Sequence, residues 1–188
     1  MQKRPKIIAG LNALAESKHW TSVDDVVMGG LSRSQMVATD RNTTVFFGKV
    51  SLANRGGFAS VRAQITTGSL QGTQGLRMRL RGDGRRYRLR LRTDSELDGP
   101  VYEVSFQTEP DVWMEVQAPF EIFTPTYRGH RLSQMPALAP EKIEQIGLMI
   151  SDRQVGSFKL EIEWITAYNH QTSTTLALLQ MAEPAYAA

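Results

Sequence analysis

Cysteine is missing from the 188-residue sequence. Its absence excludes disulfide scaffolds, thiolate zinc sites, iron–sulfur clusters and cysteine nucleophiles, and it suits a reducing compartment. Long apolar runs are missing too, since no segment approaches the roughly 20 apolar residues of a membrane-spanning helix. The apolar stretch near the N-terminus is short, is interrupted by Gly10 and Asn12, and lacks a signal-peptide cleavage site. We therefore expect a cytoplasmic domain without a transmembrane segment, peripheral to an inner membrane only through a partner.

Histidine is scarce, and the residues of catalytic motifs do not stand together. His19, His130 and His170 are far apart and lack metal-binding spacing, and no serine occupies a G-x-S-x-G elbow. Neither Gly-rich turn precedes a helix or a P-loop lysine, so no phosphate-cradling loop is expected. These features predict no catalytic site, no cofactor and no metal, although distant residues can still converge. A structural calcium is the alternative role, beside turn-capping, for six aspartates: Asp24, Asp25, Asp83, Asp94, Asp98 and Asp152.

The net charge is only +3, which is small for a dedicated nucleic-acid binder. The positive charge is nevertheless concentrated, because eight arginines lie between Arg77 and Arg92 and are accompanied by one acid, Asp83. Aromatic residues are not interleaved on the basic positions, as they usually are where single-stranded nucleic acid binds. We predict no nucleic-acid partner.

Most of the chain alternates apolar and polar residues with a period of two and is interrupted by Gly, Asn, Asp or Pro. This pattern is typical of antiparallel sheets, and about eight strands with one polar face each predict two packed sheets. Short helices are expected at 12–18 and 140–145. The predicted strands are 44–52, 58–66, 75–81, 86–93, 101–108, 113–118, 146–151 and 156–167.

The arginines of the two strands around Gly82-Asp83-Gly84 alternate with apolar residues. If these strands pair as a hairpin, six or seven guanidinium groups share one exposed face that could bind an anion or an acidic protein surface. The alternative is a solvated lattice, because like charges opposite each other are unfavourable and acids stand at outward positions of other strands. The arginines are Arg77, Arg79, Arg81, Arg86, Arg88, Arg90 and Arg92; the acids are Glu103, Glu115, Glu161 and Glu163.

The segment from Trp20 to Ser32, WTSVDDVVMGGLS, carries the most specific motif of the sequence. Its pattern W-x-x-x-x-D-x-x-M-G-G-x-S resembles that of the CIA30 family, the complex I intermediate-associated protein 30 group. The resemblance extends over about residues 20–167. The motif residues considered as loop or contact positions are Trp20, Asp25, Met28, Gly29, Gly30, Arg62, Asp83 and Asp152.

The resemblance implies an all-β, two-sheet jelly-roll β-sandwich of the galactose-binding-like class. It also implies a non-catalytic role in assembly of respiratory complex I, with protein partners that include subunits of that membrane complex. A carbohydrate or an anionic ligand is the alternative partner. Because mitochondrial members carry a long N-terminal extension, we expect a bacterial-type, stand-alone domain here. The expected boundaries are a lead-in segment at 1–19, the domain at 20–168, and a tail at 169–188 that is disordered or forms a docking helix.

Three segments are the expected contact surfaces: the strands from Arg77 to Arg92, the loop from Trp20 to Ser32, and the connection from Pro119 to Pro140. That connection is too long for an ordinary hairpin, and long loops often carry function. Its aromatic residues could instead close one end of the sandwich. Trp113 and Trp164 are expected in the core, with Trp164 on the same strand face as Phe158.

Overall fold

The computed structural model describes residues 20–96 and 98–169, and nearly all of its regular structure is β-strand. Alternation along the strands places apolar side chains on one face, and two sheets bury these faces against each other. The fold is a two-sheet jelly-roll β-sandwich. The strands are β1 (Trp20–Ser22), β2 (Arg33–Ala38), β3 (Thr44–Val50), β4 (Ala59–Gln64), β5 (Gly75–Arg81), β6 (Arg86–Arg92), β7 (Val101–Gln107), β8 (Trp113–Pro119), β9 (Thr124–Tyr127), β10 (His130–Arg131), β11 (Gln145–Ile150) and β12 (Gly156–Tyr168).

Within the described residues, one sheet has seven strands in the order β1-β4-β11-β6-β7-β9-β10, and the other has five in the order β2-β3-β12-β5-β8. The pairings between named strands are antiparallel. The core between the sheets contains an aromatic cluster of Phe46, Tyr87 and Phe158, in which the rings of Phe46 and Phe158 meet edge to face at 4.8 Å. Each sheet therefore presents a polar outer face.

The expected hairpin between the two arginine-rich strands is wrong. β5 pairs with β12 and β8 in the five-stranded sheet, whereas β6 pairs with β11 and β7 in the seven-stranded sheet. The Gly82-Asp83-Gly84 turn thus carries the chain from one sheet to the other. The physical reason is charge, because a hairpin would set arginine opposite arginine, while the observed partners supply glutamate. The arginines are consequently divided between two opposite outer faces.

Trp164 does not share the face of Phe158, as expected, because β12 contains a bulge. Its pairing with β5 shifts between Ile162 and Trp164, so the inward and outward positions exchange after the bulge. Trp164 becomes the partner of Arg79 on the outer face. Trp113, at the start of β8, also lies on that outer face beside Arg81. The assignment of both tryptophans to the core is therefore wrong.

The helical prediction near Pro140 corresponds to a single 3₁₀ turn, Pro140–Lys142. The predicted helix at 12–18 and the tail from 170 onward lie outside the described residues, and the domain boundaries stay a prediction. In the part of the chain that is described, no helix is long and apolar enough to span a bilayer.

Candidate functional surfaces

The loop between β1 and β2 is organised around the buried carboxylate of Asp25. Its Oδ1 accepts a hydrogen bond from the backbone N–H of Ser32 at 2.8 Å, and its Oδ2 accepts one from the Ser32 hydroxyl at 2.5 Å. Oδ2 also accepts from the backbone N–H groups of Gly57 at 2.7 Å and Phe58 at 3.2 Å. One side chain thus joins the motif loop to the loop that precedes β4.

Burial raises the pKa of Asp25, but the hydrogen bonds from Ser32, Gly57 and Phe58 outweigh this effect and hold the pKa below its ordinary value. The carboxylate is therefore ionised in the folded protein, and these hydrogen-bond donors stabilise its charge.

The glycines of the motif fit this carboxylate. Gly29 has a φ of +87° and ends the 3₁₀ turn Asp25–Met28 in the left-handed region. A Cβ on Gly30 would lie 2.2 Å from Oδ1 of Asp25, and one on Gly56 would lie 2.6 Å from Oδ2. The motif D-x-x-M-G-G-x-S therefore places glycine where the backbone passes close to the buried carboxylate of Asp25.

The neighbouring Asp24 makes a second set of such contacts. Its carboxylate accepts hydrogen bonds from the backbone N–H of Ser34 at 2.7 Å, from the Ser34 hydroxyl at 2.6 Å and from the backbone N–H of Ser60 at 2.9 Å. These contacts connect β2 with β4, which belong to different sheets. Both acids act as backbone organisers, as the turn-capping alternative predicts.

The rigid loop presents four exposed apolar side chains, which we call the apolar tip: Val26, Val27, Met28 and Leu31. Their side chains are 50%, 74%, 65% and 54% exposed. The side-chain amide of Asn54, in the turn that precedes β4, donates a hydrogen bond to the carbonyl oxygen of Gly29 at 3.2 Å. This bond adds a further contact that anchors the loop. Four adjacent apolar side chains exposed on an anchored loop are typical of an interaction site rather than of scattered surface residues.

Trp20 and Arg62 of the motif set lie beside this loop on the seven-stranded sheet. Trp20 is partly buried against the core and pairs in register with Ala63. Arg62 is an outward residue of β4, between β1 and β11. Trp20 therefore has a packing role, whereas Arg62 belongs to the charged outer face.

The three arginines of β5 lie in a lattice of ion pairs and aromatic rings. Arg79 contacts Glu163 at 2.5 Å, and Arg81 contacts Glu161 at 2.7 Å. Burial raises the pKa of Glu161, but hydrogen bonds from Arg81 and Thr43 hold it below the ordinary value. The other contacts are Arg77 with Glu115 at 4.0 Å, Arg79 and Arg81 over the ring of Trp113, and Arg77 over the ring of Trp164.

The four arginines of β6 contact three acids on the opposite outer face, so there are fewer acids for each arginine here than on β5. Glu103 contacts Arg88 at 2.6 Å and Arg90 at 3.4 Å. Asp152, in the turn after β11, contacts Arg86 at 3.6 Å and also pairs with Arg88. Arg92 lies 3.5 Å from Asp94. The expected Arg–Glu lattice is thus present on both faces, and acids are sparser on this one.

Asp83 connects the two sheets. Its Oδ1 accepts from the Tyr87 hydroxyl at 2.8 Å and from the backbone N–H of Arg85 at 3.3 Å, and its Oδ2 accepts from the N–H of Lys159 at 3.0 Å. Burial, followed by the Asp83 charge, strongly raises the pKa of Tyr87. Asp83 is therefore a structural bridge at the turn between β5 and β6.

The connection from Pro119 to Pro140 is more ordered than a plain loop. It contains the 3₁₀ turn Phe120–Ile122 and the strands β9 and β10. Phe120 and Phe123 are buried in the core, which agrees with their expected role of closing the sandwich. Arg131 to Met135 line a shallow, open depression of about 340 Å³ at its edge. Among the described residues, no three His, Asp or Glu side chains converge as a metal site would require.

A family model for complex I intermediate-associated protein 30 matches residues 10–162. The chain belongs to the CIA30 family. Its curated relatives include the probable complex I intermediate-associated protein 30, mitochondrial, of Caenorhabditis elegans, which is 28% identical over 162 residues covering 76% of this chain and 48% of the relative. The mouse protein is 25% identical over 175 residues, covering 82% of this chain and 53% of the relative. The chain thus spans about half of the length of the curated relatives that it matches.

Solved structures share the fold at low sequence identity. A family 11 carbohydrate-binding module from Clostridium thermocellum, in complex with a mixed-linked tetrasaccharide, superposes with a TM-score of 0.60 at 14% identity, covering 80% of this chain and 89% of the module. An exo-beta-agarase matches with a TM-score of 0.52 at 10% identity, covering 90% of this chain and 26% of the enzyme. These likenesses confirm the galactose-binding-like jelly roll of this CIA30 chain.

Sequence reasoning located the motif loop but missed the apolar tip. The sequence does contain a signal for the apolar tip. The apolar residues V-V-M and Leu31 stand on both sides of a glycine turn, where buried side chains are not expected. The division of the arginines between two faces had no local signal, since it depends on which distant strands pair.

Proposed function

We propose that this CIA30 chain is a non-catalytic binding domain that assists the assembly of respiratory complex I by holding a subunit or an intermediate of that complex. The family membership and the names of the curated relatives support this role. The observation that carries it is the apolar tip, which the buried Asp25 network holds in an exposed position.

A protein partner would cover the apolar tip, and removal of its apolar side chains from water stabilises the complex. Burial of one valine or methionine side chain contributes about 1.5 to 3 kcal/mol. An anchored loop loses little conformational entropy on binding, which lowers one of the costs of association. An assembly intermediate of a membrane complex offers complementary apolar surface before its other subunits arrive.

The carbohydrate alternative has less support from the side chains. A sugar-binding groove uses exposed aromatic rings, whereas among the described residues Phe47 is the one aromatic side chain that is more than a third exposed, at 37%. The outer-face rings of Trp113 and Trp164 are already covered by Arg79, Arg81 and Arg77. We therefore favour a protein partner.

The test is affinity capture from a lysate of the native host, with the full chain as bait. We expect the wild-type chain to enrich complex I subunits, identified by mass spectrometry, and the double variant Val27→Asp/Met28→Asp to weaken capture by at least about 100-fold, because two buried apolar contacts become two desolvated charges. A matched control is Val112→Asp, since Val112 is also an exposed apolar loop residue, 45% exposed.

Circular dichroism first verifies that both variants are folded. Enrichment of complex I subunits that is lost in the double variant and kept by Val112→Asp supports the proposal. If the wild-type chain captures no complex I subunit, the assembly role is wrong. If the double variant captures as much as the wild type, the apolar tip is not the contact.

A further inference from the structure

Two cations lie opposite each other at the edge of the five-stranded sheet. Arg33 of β2 and Lys49 of β3 are direct register partners, and both side chains are exposed. Neither makes an ion pair with any residue that the structure describes. Like charges directly opposite each other in a sheet are destabilising. The arginines of β5, in the same sheet, each contact a glutamate instead. The pair of Arg33 and Lys49 therefore has no explanation in the stability of the fold.

The positive charge continues onto the next strand. Lys159, an exposed residue of β12, is the register partner of Phe47 on β3, and Phe47 lies two residues before Lys49 on the same face. The acid at the next outward position of β12, Glu161, already pairs with Arg81 at 2.7 Å. Three cations thus remain without an acid of their own among the described outward residues of β2, β3 and the first part of β12. We call this surface the basic strip: Arg33, Phe47, Lys49 and Lys159.

The basic strip is continuous with the apolar tip. Exposed and buried residues alternate without a break from Leu31, in the tip, through Arg33 to Gln35 in β2. These three side chains therefore point to the same side of the chain. The hydrogen bonds from Ser34 to the carboxylate of Asp24 hold the start of β2 in place. The tip and the strip thus form one ordered surface that is apolar at its end and positive along its side.

The length of this surface favours a protein partner over a lipid bilayer. A strand rises about 3.4 Å per residue, so the surface extends about 14 Å from Leu31 to Gln35. A segment that lies in a membrane interface is buried only about 5 to 10 Å deep. A bilayer that received the tip would therefore not follow the strip, whereas a protein surface can contact both. Val37 and Phe47, which are exposed apolar residues on this face, also suit a protein contact.

We infer that the partner surface held by this CIA30 chain is acidic, with an apolar depression that receives the apolar tip and carboxylates that pair with Arg33, Lys49 and Lys159. The inference deepens the proposed function and rests on it for the identity of the partner. Carboxylates opposite the strip replace the repulsion between Arg33 and Lys49 with attraction. Such complementary charges raise the rate and the specificity of association.

The first experiment uses a probe that does not depend on the identity of the partner. A short fluorescein-labelled peptide of glutamate and leucine is titrated with the full chain at low salt, and fluorescence anisotropy reports binding. We expect this peptide to bind at least about 10-fold more tightly than a matched peptide of lysine and leucine. Arg33→Glu/Lys49→Glu should weaken binding of the acidic peptide at least about 10-fold, because two attractions become two repulsions.

The matched control is Arg41→Glu/Arg131→Glu, which reverses the same number of exposed charges away from the strip. Arg41 lies in the turn at the far end of β2, about 27 Å from Arg33 along the chain, which is well beyond the screening length of about 8 Å at physiological salt. The control should therefore change the Kd by less than about 2-fold. Circular dichroism verifies that both double variants are folded. The inference is overturned if the two peptides bind equally or if the control weakens binding as much as Arg33→Glu/Lys49→Glu.

The second experiment repeats the capture of complex I subunits with the same variants. We expect Arg33→Glu/Lys49→Glu to capture at least about 10-fold less than the wild type, and the control to capture as much. If the charge-reversed variant captures complex I subunits as well as the wild type does, the proposed function stands and this inference is overturned. If the wild type captures none but the peptide results hold, the assembly role is wrong and the acid-binding strip stands.

Sedimentation with vesicles tests the lipid alternative. The wild-type chain is mixed with vesicles of phosphatidylcholine, with and without the anionic lipid phosphatidylglycerol, and we expect it to stay in the supernatant in both cases. If it sediments with the anionic vesicles and Arg33→Glu/Lys49→Glu does not, the strip is a lipid contact and the inference of an acidic protein surface is overturned.

Discussion

Replacement of Asp25 with alanine is expected to lower the free energy of unfolding by about 3 to 5 kcal/mol, a large part of the stability of a domain of this size. The carboxylate accepts four hydrogen bonds from Ser32, Gly57 and Phe58, and three of the donors are backbone N–H groups that would lose their acceptor. Chemical unfolding in urea, followed by tryptophan fluorescence, measures the change.

Asp40→Ala is the matched control, because Asp40 is exposed and its removal should change stability by less than about 0.5 kcal/mol. If Asp25→Ala unfolds at the same urea concentration as the wild type, the carboxylate does not organise the loop. Asp25→Asn preserves the shape of the side chain and should be less destabilising than Asp25→Ala. It still costs stability, because its NH₂ group would face N–H and O–H donors that need an acceptor.

The same carboxylate predicts a pH dependence. Its pKa in the folded state is below the ordinary value, so its stabilising effect is fully present above the unfolded-state pKa of about 4. The effect is lost as pH falls through the lower folded-state pKa, because the proton then binds to both states. The stability difference between wild type and Asp25→Asn should accordingly narrow from pH 7 to pH 3. A constant difference would contradict the lowered pKa.

Gly30→Ala is expected to be the next most damaging change, with a loss of about 2 to 3 kcal/mol. The new methyl group would lie 2.2 Å from Oδ1 and 2.4 Å from Cγ of Asp25, and the hydrogen bonds of that carboxylate prevent it from moving away. Thermal unfolding of the single variants and of the double variant Asp25→Ala/Gly30→Ala measures the coupling between the two residues.

The double variant should be at most about 1 kcal/mol less stable than Asp25→Ala alone, because the methyl group no longer meets a carboxylate and only the Cβ of residue 25, at 2.9 Å, remains close. The expected coupling is therefore about 1 to 2 kcal/mol. Gly29→Ala serves as the neighbouring control. A methyl group on Gly29 would meet no other atom within 4 Å. Gly29→Ala should therefore lower the free energy of unfolding by only about 1 to 2 kcal/mol, the penalty for an alanine in the left-handed backbone conformation. Additive effects of Asp25→Ala and Gly30→Ala would refute the steric explanation.

Strand prediction succeeded where a strand has one apolar and one polar face. The eight predicted strands occur with ends within two residues of the expected ones, and 75–81 agrees at both ends with Gly75–Arg81. The strands β1, β2, β9 and β10 were missed. They are short or lie toward sheet edges, where neighbours bury less of each side chain and the alternation in the sequence is weaker.

The candidate surfaces were predictable to different degrees. The D-x-x-M-G-G-x-S motif marked the loop that holds the apolar tip, and the turn-organising roles of Asp25 and Asp83 followed from the glycines beside them. The placement of Arg62 and Arg90 on one outer face was not predictable, because they lie on strands that are distant in sequence and pair with β11 from opposite sides. The bulge in β12 likewise left no mark in the alternation of its residues.

The sequence by itself determined the family, the all-β class and the inward or outward direction of most strand residues, because a motif and a period of two are local properties of the chain. Only the tertiary structure decided which strands pair and which face each arginine occupies. Pairing depends on matching charges and apolar surfaces contributed by segments far apart, such as Glu161 with Arg81 and Glu103 with Arg90.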